Sequence, residues 1–210
     1  MSHQLDAWRG AFGDAYTDRN DVDWRSRFQA WRTMLADLEI QSILEVGSNK
    51  GANLRALREM NPSWLLLGLE PNAYARDIAS TPTVDGDASC LPFPACSFDL
   101  VFTAGLLIHI PPDELDRVLG QLHRVARRYL LAIEYQAEKE TAVTGYHGRD
   151  DMLWKRPFNQ EYLSRFPDLR VIRFGHWGEA WGFDNCTWWL MEKSRQTYLK
   201  APSWEISTSW

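Results

Sequence analysis

The chain of 210 residues is poor in cysteine, with only Cys90, Cys96 and Cys186. Their odd number and the lack of CxxC spacing exclude a disulfide framework or a cysteine zinc site, and they read as reduced thiols of a cytoplasmic protein. No apolar run approaches the roughly 18 residues needed to cross a bilayer. The first residues, Met1 to Asp6, lack the charged-then-apolar pattern of an export signal. Positive charge is also in short supply, 23 Lys and Arg against 28 Asp and Glu, a net charge of -5. That balance offers no general field for nucleic-acid phosphates or an anionic membrane, so the expected partner is a small molecule. Oligomeric state is not legible. Histidines number five, and His147 and His176 have no partners at ligand spacing, so no metal is expected. Internal repeats, low-complexity linkers and a nucleophile–base–acid triad are missing too.

What is present is enough apolar sequence, 45%, for one well-buried core. Trp24, Phe28, Trp31, Met34, Leu35 and Leu38 fall at helical spacing and predict an amphipathic helix over residues 24 to 38. Strands are then expected over 42–46, 64–69, 83–85, 98–103, 129–134, 169–174 and 187–192. Helices alternate with them over 52–60, 72–79, from Pro111-Pro112 to Val125, and over 159–166 with Asn159 as its cap. Repeated βα units demand a doubly wound, seven-stranded, mostly parallel α/β sheet with helices on both faces. The chain divides into an N-terminal helical segment or lid (1–39), a catalytic domain (40–193) and a polar tail with isolated aromatics (194–210).

In such sheets ligands bind beyond the carboxyl ends of the strands, where strand order reverses. Glu45, Gly47 and Gly51 stand where the first strand ends, in Ile43-Leu44-Glu45-Val46-Gly47-Ser48-Asn49-Lys50-Gly51. Glycine lets the backbone turn tightly and approach a ligand, and Asn49, in place of a middle glycine, tolerates left-handed angles better than most residues. Glu70 ends the second strand about where a ribose-binding carboxylate follows in dinucleotide folds. The spacing suits a nucleotide and does not by itself choose which.

The next block is more particular. Gly86-Asp87-Ala88-Ser89-Cys90-Leu91-Pro92-Phe93, followed by Ser97-Phe98-Asp99-Leu100-Val101, resembles the class I S-adenosylmethionine (SAM) methyltransferases, as do Leu106 to Pro111 and Leu122-His123-Arg124-Val125. The resemblance spans about residues 40 to 135 and implies a Rossmann-like fold with SAM as cofactor and Asp87 at the adenine amino group. Pro71, Ala88 and Thr103 complete the candidate cofactor set. A narrower likeness covers nearly the whole chain. Phe12 to Asn20, Glu134-Tyr135, Lys155-Arg156-Pro157-Phe158, Phe166 to Leu169 and Asp184 to Trp188 look like the pseudaminic-acid-biosynthesis-associated methylases.

Several residues carry two readings. Tyr16, Arg19 and Asn20 either close over the cofactor, with Arg19 forking onto its carboxylate, or cap a surface helix. His109 is either a general base near an acceptor or a structural residue before Pro111. Glu134 and Tyr135, at a strand's carboxyl end, either contact substrate or pack. Eleven tryptophans are unusual. Trp177 and Trp181 lie in a glycine-punctuated loop, and Trp188 and Trp189 point to opposite faces of a strand, so Trp177, Trp181 and Trp188 either line a substrate pocket, where a sulfonium attracts aromatic faces, or cover the sheet.

Methyl transfer needs alignment and water exclusion more than acid–base machinery. The expected activity is therefore transfer from SAM to a small polar metabolite in a lidded pocket. Two alternatives accompany it. In one, SAM is the sole substrate and its α-amine attacks the γ-carbon, giving azetidine-2-carboxylate and methylthioadenosine. In the other, the fold is a non-catalytic SAM-binding module.

Overall fold

The computed structural model describes residues 3–195, so all but the first two residues of the expected tail (194–210) lie outside the described residues. Two helices, α1 (His3–Arg9) and α2 (Ala11–Arg19), lead into a 3-10 turn over Trp24–Arg27 and then α3 (Phe28–Leu35). The single helix expected over 24–38 is thus corrected to a turn and a helix. The Asp23 carboxylate accepts the Arg25 N–H and starts the tighter turn, and the chain leaves helical geometry at Ala36. Trp31, Met34 and Leu35 are buried, on the face that their periodicity assigned.

The βα alternation follows as β1 (Ser42–Val46), α4 (Ala52–Met60), β2 (Leu65–Leu69), α5 (Ala73–Asp77), β3 (Thr83–Val84), β4 (Phe98–Ala104), α6 (Pro112–Val125) and β5 (Ala126–Glu134). A small hairpin, β6 (Thr141–Ala142) with β7 (Trp154–Lys155), intervenes before α7 (Phe158–Arg165), β8 (Leu169–Trp177) and β9 (Cys186–Lys193). Strand order in the main sheet is β3-β2-β1-β4-β5-β9-β8, parallel except for β9, which runs against both neighbours. The sheet has the seven strands and mostly parallel character expected, a Rossmann-like class I methyltransferase architecture. Order reverses between β1 and β4, so the loops after these strands diverge and leave a crevice at their carboxyl ends.

Both faces of the sheet are covered. One face packs α6 and α7 through Leu115, Leu119, Leu122, Phe158 and Tyr162, and the other packs α3 and α4 through Trp31, Met34, Leu54 and Leu57. Trp189 belongs to the first face and Trp188 to the second, as alternation along β9 requires. Helix α6 begins with Pro112 at its first position and places Asp113 and Glu114 in its first turn and His123 and Arg124 in its last, complementing the helix dipole. Arg124 reaches off that helix to the carbonyls of Phe93 and Leu91 at 2.7 and 3.0 Å, bracing the loop that follows Asp87.

Two local expectations are corrected. Helix α7 starts at Phe158 behind Pro157, whose fixed φ suits a helix start, so Asn159 lies inside the first turn and caps nothing. Trp177 is the last residue of β8, paired with Cys186, and not part of a loop. Among the described residues no helix is long and apolar enough to cross a membrane.

Candidate active site

The loop after β1 holds three left-handed residues, Gly47 at φ 76°, Asn49 at φ 47° and Gly51 at φ 78°. A Cβ on Gly47 would stand 2.9 Å from the Leu106 side chain, and one on Gly51 would stand 2.5 Å from Thr81 Oγ1, so both positions exclude a side chain on two counts. The Glu70 carboxylate ties this loop to the end of β2, accepting the Asn49 N–H on Oε2 and the Asn72 N–H on Oε1, both at 2.9 Å. Burial raises Glu70 above the usual carboxylate range. Gly47, Asn49, Glu70, Pro71, Asp87 and Ala88 all line one cavity at the crevice. Asp87 is held in place by Ser89, whose N–H and hydroxyl donate to its two oxygens at 2.8 and 2.9 Å.

Deeper in the same cavity is a chain of three polar side chains. Asn53 Nδ2 donates to Glu45 Oε1 at 2.7 Å, and Arg27 Nη1 donates to Asn53 Oδ1 at 2.8 Å. Arg27 Nε is anchored on the Gly182 carbonyl at 2.8 Å, and its guanidinium lies 4.4 Å from the centre of the Phe183 ring. Glu45 Oε2 and Ser48 Oγ are buried with no protein partner. Burial pushes the Glu45 carboxyl up to about 8, against the pull of Asn53 and Arg27. A buried acceptor without a partner is costly, so it marks a place that a ligand's donor fits.

The same cavity is also lined by Trp8, Tyr16, His109, Tyr135 and Tyr146, with Asp184 and Cys186. His109 packs against Trp8 and Tyr146 with ring centres 4.7 and 5.3 Å apart. Its Nδ1 faces the Met152 carbonyl, which can only accept, so Nδ1 carries the hydrogen and Nε2 carries a lone pair. Burial lowers His109 to about 4, so the ring is neutral at physiological pH. Tyr135 Oη donates to Asp184 Oδ2 at 3.4 Å. Tyr16 and Tyr135 are both held far above the usual phenol range, by burial first and then by neighbouring phenols and Asp184. Burial, Glu134 and Asp184 push the Cys186 thiol to about 12, so it stays protonated and is no nucleophile.

Other sequence candidates are placed elsewhere. Arg19 is exposed, its guanidinium 5.5 Å from the Tyr16 ring centre, and does not line the cavity, whereas Arg27 does. Glu134 is fully buried behind the cavity wall, where Oε1 accepts from Thr103 Oγ1 at 2.8 Å and Leu107 N at 3.1 Å, and Oε2 accepts from Ile108 N at 3.3 Å. It is a positioning residue for the turn that carries His109, Thr103 is its partner, and neither lines the cavity. Gly51 shapes the loop without lining it.

Trp177, Trp181 and Trp188 do not line the cavity either, which corrects their placement in a substrate pocket. The Trp188 indole crosses Gly175, the only residue type with room for it, and stacks on Trp177 with centres 5.6 Å apart and planes 15° apart. Trp181 follows at 4.6 Å from Trp177. Together they cover the α3 side of the sheet.

Arg27, Asn53, Trp8, Tyr146 and Asp184 were missed. Arg27 had a signal, since it falls between Trp24 and Trp31 on the apolar stripe, where a solvent-facing arginine does not belong. Asn53 had a weaker one, on the core face of α4 beside Leu54. Tyr146 and Asp184 sit in irregular segments, and no spacing rule connects them to β5.

Residues 44–129 match the protein family described as Methyltransferase domain. No curated protein sequence matches the chain. Similar solved structures include a SAM-dependent methyltransferase from Aquifex aeolicus, 16% identical over 86% of this chain and 97% of that one, with TM-score 0.61. A phosphoethanolamine N-methyltransferase of Haemonchus contortus is 16% identical over 92% of this chain and 50% of that one, with TM-score 0.66. The 1,6-didemethyltoxoflavin-N1-methyltransferase of Burkholderia thailandensis is 14% identical over 90% of this chain and 85% of that one, with TM-score 0.62. Both of the latter hold S-adenosylhomocysteine. Residues 44–129 thus match a methyltransferase domain, the chain has the fold of SAM-dependent methyltransferases, and SAM is the cofactor that the family match and the S-adenosylhomocysteine in both neighbours indicate.

Proposed function

We propose that the chain transfers the methyl group of SAM to a small polar metabolite inside the cavity between α1–α2 and the carboxyl ends of β1, β2, β4 and β5. One observation carries this reading. Gly47, Glu70 and Asp87 line a single cavity together with His109, Tyr16 and Tyr135. The site fits the cofactor: the unpartnered Glu45 Oε2 can accept an ammonium, Arg27 can take a carboxylate, Glu70 a ribose diol and Asp87 an amino group. When bound, SAM supplies an electrophilic methyl group on a sulfonium that already contains its leaving group.

The chain's own residues then align and exclude. Helices α1 and α2 cover the crevice, with Trp8 and Tyr16 facing inward. His109, neutral and fixed in one tautomer, presents Nε2 as an acceptor for the dissociable hydrogen of the methyl acceptor. Desolvated phenols at Tyr16 and Tyr135 stay protonated and serve as donors. The likeness to pseudaminic-acid-associated methylases agrees with a small metabolite and adds no particular compound.

The test is calorimetric titration with SAM and S-adenosylhomocysteine, followed by mass spectrometry of the nucleoside product with cell-extract metabolites present and absent. Binding with acceptor-dependent release of S-adenosylhomocysteine is expected. Absence of binding defeats the proposal, and methylthioadenosine formed from SAM alone replaces it with intramolecular cyclisation.

A further inference from the structure

His109 ends a single 3-10 turn, Leu107–His109, that is gripped from two sides. From the end of β5 the Glu134 carboxylate accepts the N–H groups of Leu106, Leu107 and Ile108. From the other side comes the hairpin of β6 and β7, whose returning strand reaches the turn at two points. The Met152 carbonyl takes the His109 Nδ1 hydrogen, and Arg156 Nη1 donates to the Leu107 carbonyl at 3.2 Å. The loop of the same hairpin carries Tyr146, whose ring packs on His109.

Arg156 fastens this hairpin. Its main chain bridges to Gln136, just past β5, and its carbonyl accepts the Ala137 N–H at 3.4 Å. Its side chain is fully buried, and Nε donates to Oε2 of Glu140, a half-exposed carboxylate, at 2.7 Å. Nη2 is buried without a partner. A buried guanidinium with an orphaned donor is costly, so this side chain is a poor means of merely stabilising a short hairpin. What it supplies is direction, because the planar fork reaches Glu140 and the Leu107 carbonyl at once and at a fixed angle, which the single nitrogen of a lysine does not. Neither Arg156 nor Glu140 lines the cavity, so neither is placed to touch cofactor or acceptor.

Resting on the methyl-transfer reading above for what His109 does, we propose that Arg156, braced by Glu140, is a positioning residue for His109. Its guanidinium holds the Leu107 carbonyl while the same returning strand holds the Met152 carbonyl at Nδ1. The hairpin thereby sets which nitrogen of His109 carries the hydrogen and keeps Nε2 free as the acceptor. Removing Glu140 leaves the Arg156 charge buried without its counter-charge. The guanidinium then turns toward water, the strand over residues 152–156 loosens, and Nδ1 loses its acceptor.

Long-range proton–nitrogen NMR of the imidazoles, on the full chain without ligand, reads this directly, because each ring nitrogen reports whether it carries hydrogen. Five histidines are few enough to assign, His109 by its loss in His109→Asn. In the unmutated protein His109 is expected to hold its hydrogen on Nδ1 near neutral pH and to protonate at about 4. Glu140→Ala and Arg156→Lys are expected to mix in the Nε2–H form and to raise the midpoint past about 5, toward the ordinary histidine value. Glu140→Gln, which keeps an acceptor at the same reach, should retain the original tautomer. The other groups facing the ring are Trp8, the phenols of Tyr16 and Tyr146, which stay protonated over this range, and His147, whose own titration is followed in the same spectra. A folded Glu140→Ala that keeps the tautomer and midpoint of the unmutated protein overturns the proposal, whether or not Arg156→Lys folds. Calorimetry with S-adenosylhomocysteine separates the two readings: if the unmutated protein binds none, methyl transfer falls, while the spectra still decide the hold on His109.

Discussion

Asn49 Nδ2 donates to Thr17 Oγ1 at 3.3 Å, joining the glycine loop to helix α2 above it. The same side chain accepts the Lys50 N–H through Oδ1 at 2.7 Å, while its own N–H goes to Glu70. The residue that departs from a glycine-rich loop is therefore a latch between cofactor loop and cover. A second tie runs parallel to it, since Asn72 Nδ2 donates to the Trp8 carbonyl at 3.0 Å and to Asp14 Oδ1 at 2.8 Å.

Replacing Asn49 by Gly keeps the left-handed backbone without strain and removes the latch. Stability should change by no more than about 1 kcal/mol, because net side-chain hydrogen bonds are worth about that much. SAM should dissociate several-fold faster, as measured by stopped-flow tryptophan fluorescence. An unchanged off-rate would show that α2 does not depend on this contact.

His109→Asn retains a donor for the Met152 carbonyl but loses the Nε2 acceptor. We expect kcat to fall about 100-fold, within the range for removing acid–base assistance, with SAM affinity unchanged. In the unmutated protein the acid limb of the rate profile should approach pH 4, since burial lowers His109 to about 4. A limb near 6.5 would mean an exposed, conventional histidine.

Stability of the ligand-free protein should fall as pH rises from 6.5 to 8. Burial raises Glu45 from 4.5 to about 8 and Glu134 from 4.5 to about 7, so across this window the folded chain holds protons that the unfolded chain has released. The contribution is fully present below 4.5 and is lost as pH rises through the folded values, by at most about 1.4 kcal/mol per pH unit for each group. His109 acts oppositely, but only between about 4 and 6.5. Melting temperature against pH checks the trend, and Glu45→Gln should flatten its upper part.

Trp188→Ala should cost about 3–5 kcal/mol, as expected for emptying a buried indole site, by denaturant unfolding. Trp188 is only 4% exposed and faces away from the cavity. The folded fraction should bind SAM as the unmutated protein does. A selective loss of acceptor use with normal stability would return this indole to the substrate site.

Sequence by itself determined the βα alternation of the main sheet and marked the turn after its first strand, because both are written locally. Apolar period sets the elements, and a strand followed by Gly47, Asn49 and Gly51, with Glu70 ending the next strand, builds its turn from adjacent residues. It did not determine which distant side chains meet. Arg27 displaced Arg19 because a 3-10 turn, opened by Asp23, rotates it inward, while Arg19 stays on the outer face of α2. Trp177 and Trp188 left the pocket because Gly175 makes room for an indole on the opposite side of the sheet. The assembly of Tyr16, Tyr135, Tyr146 and Asp184 was decided only by tertiary structure, since strand order brings the end of β5 under α2 and no spacing along the chain records that neighbourhood.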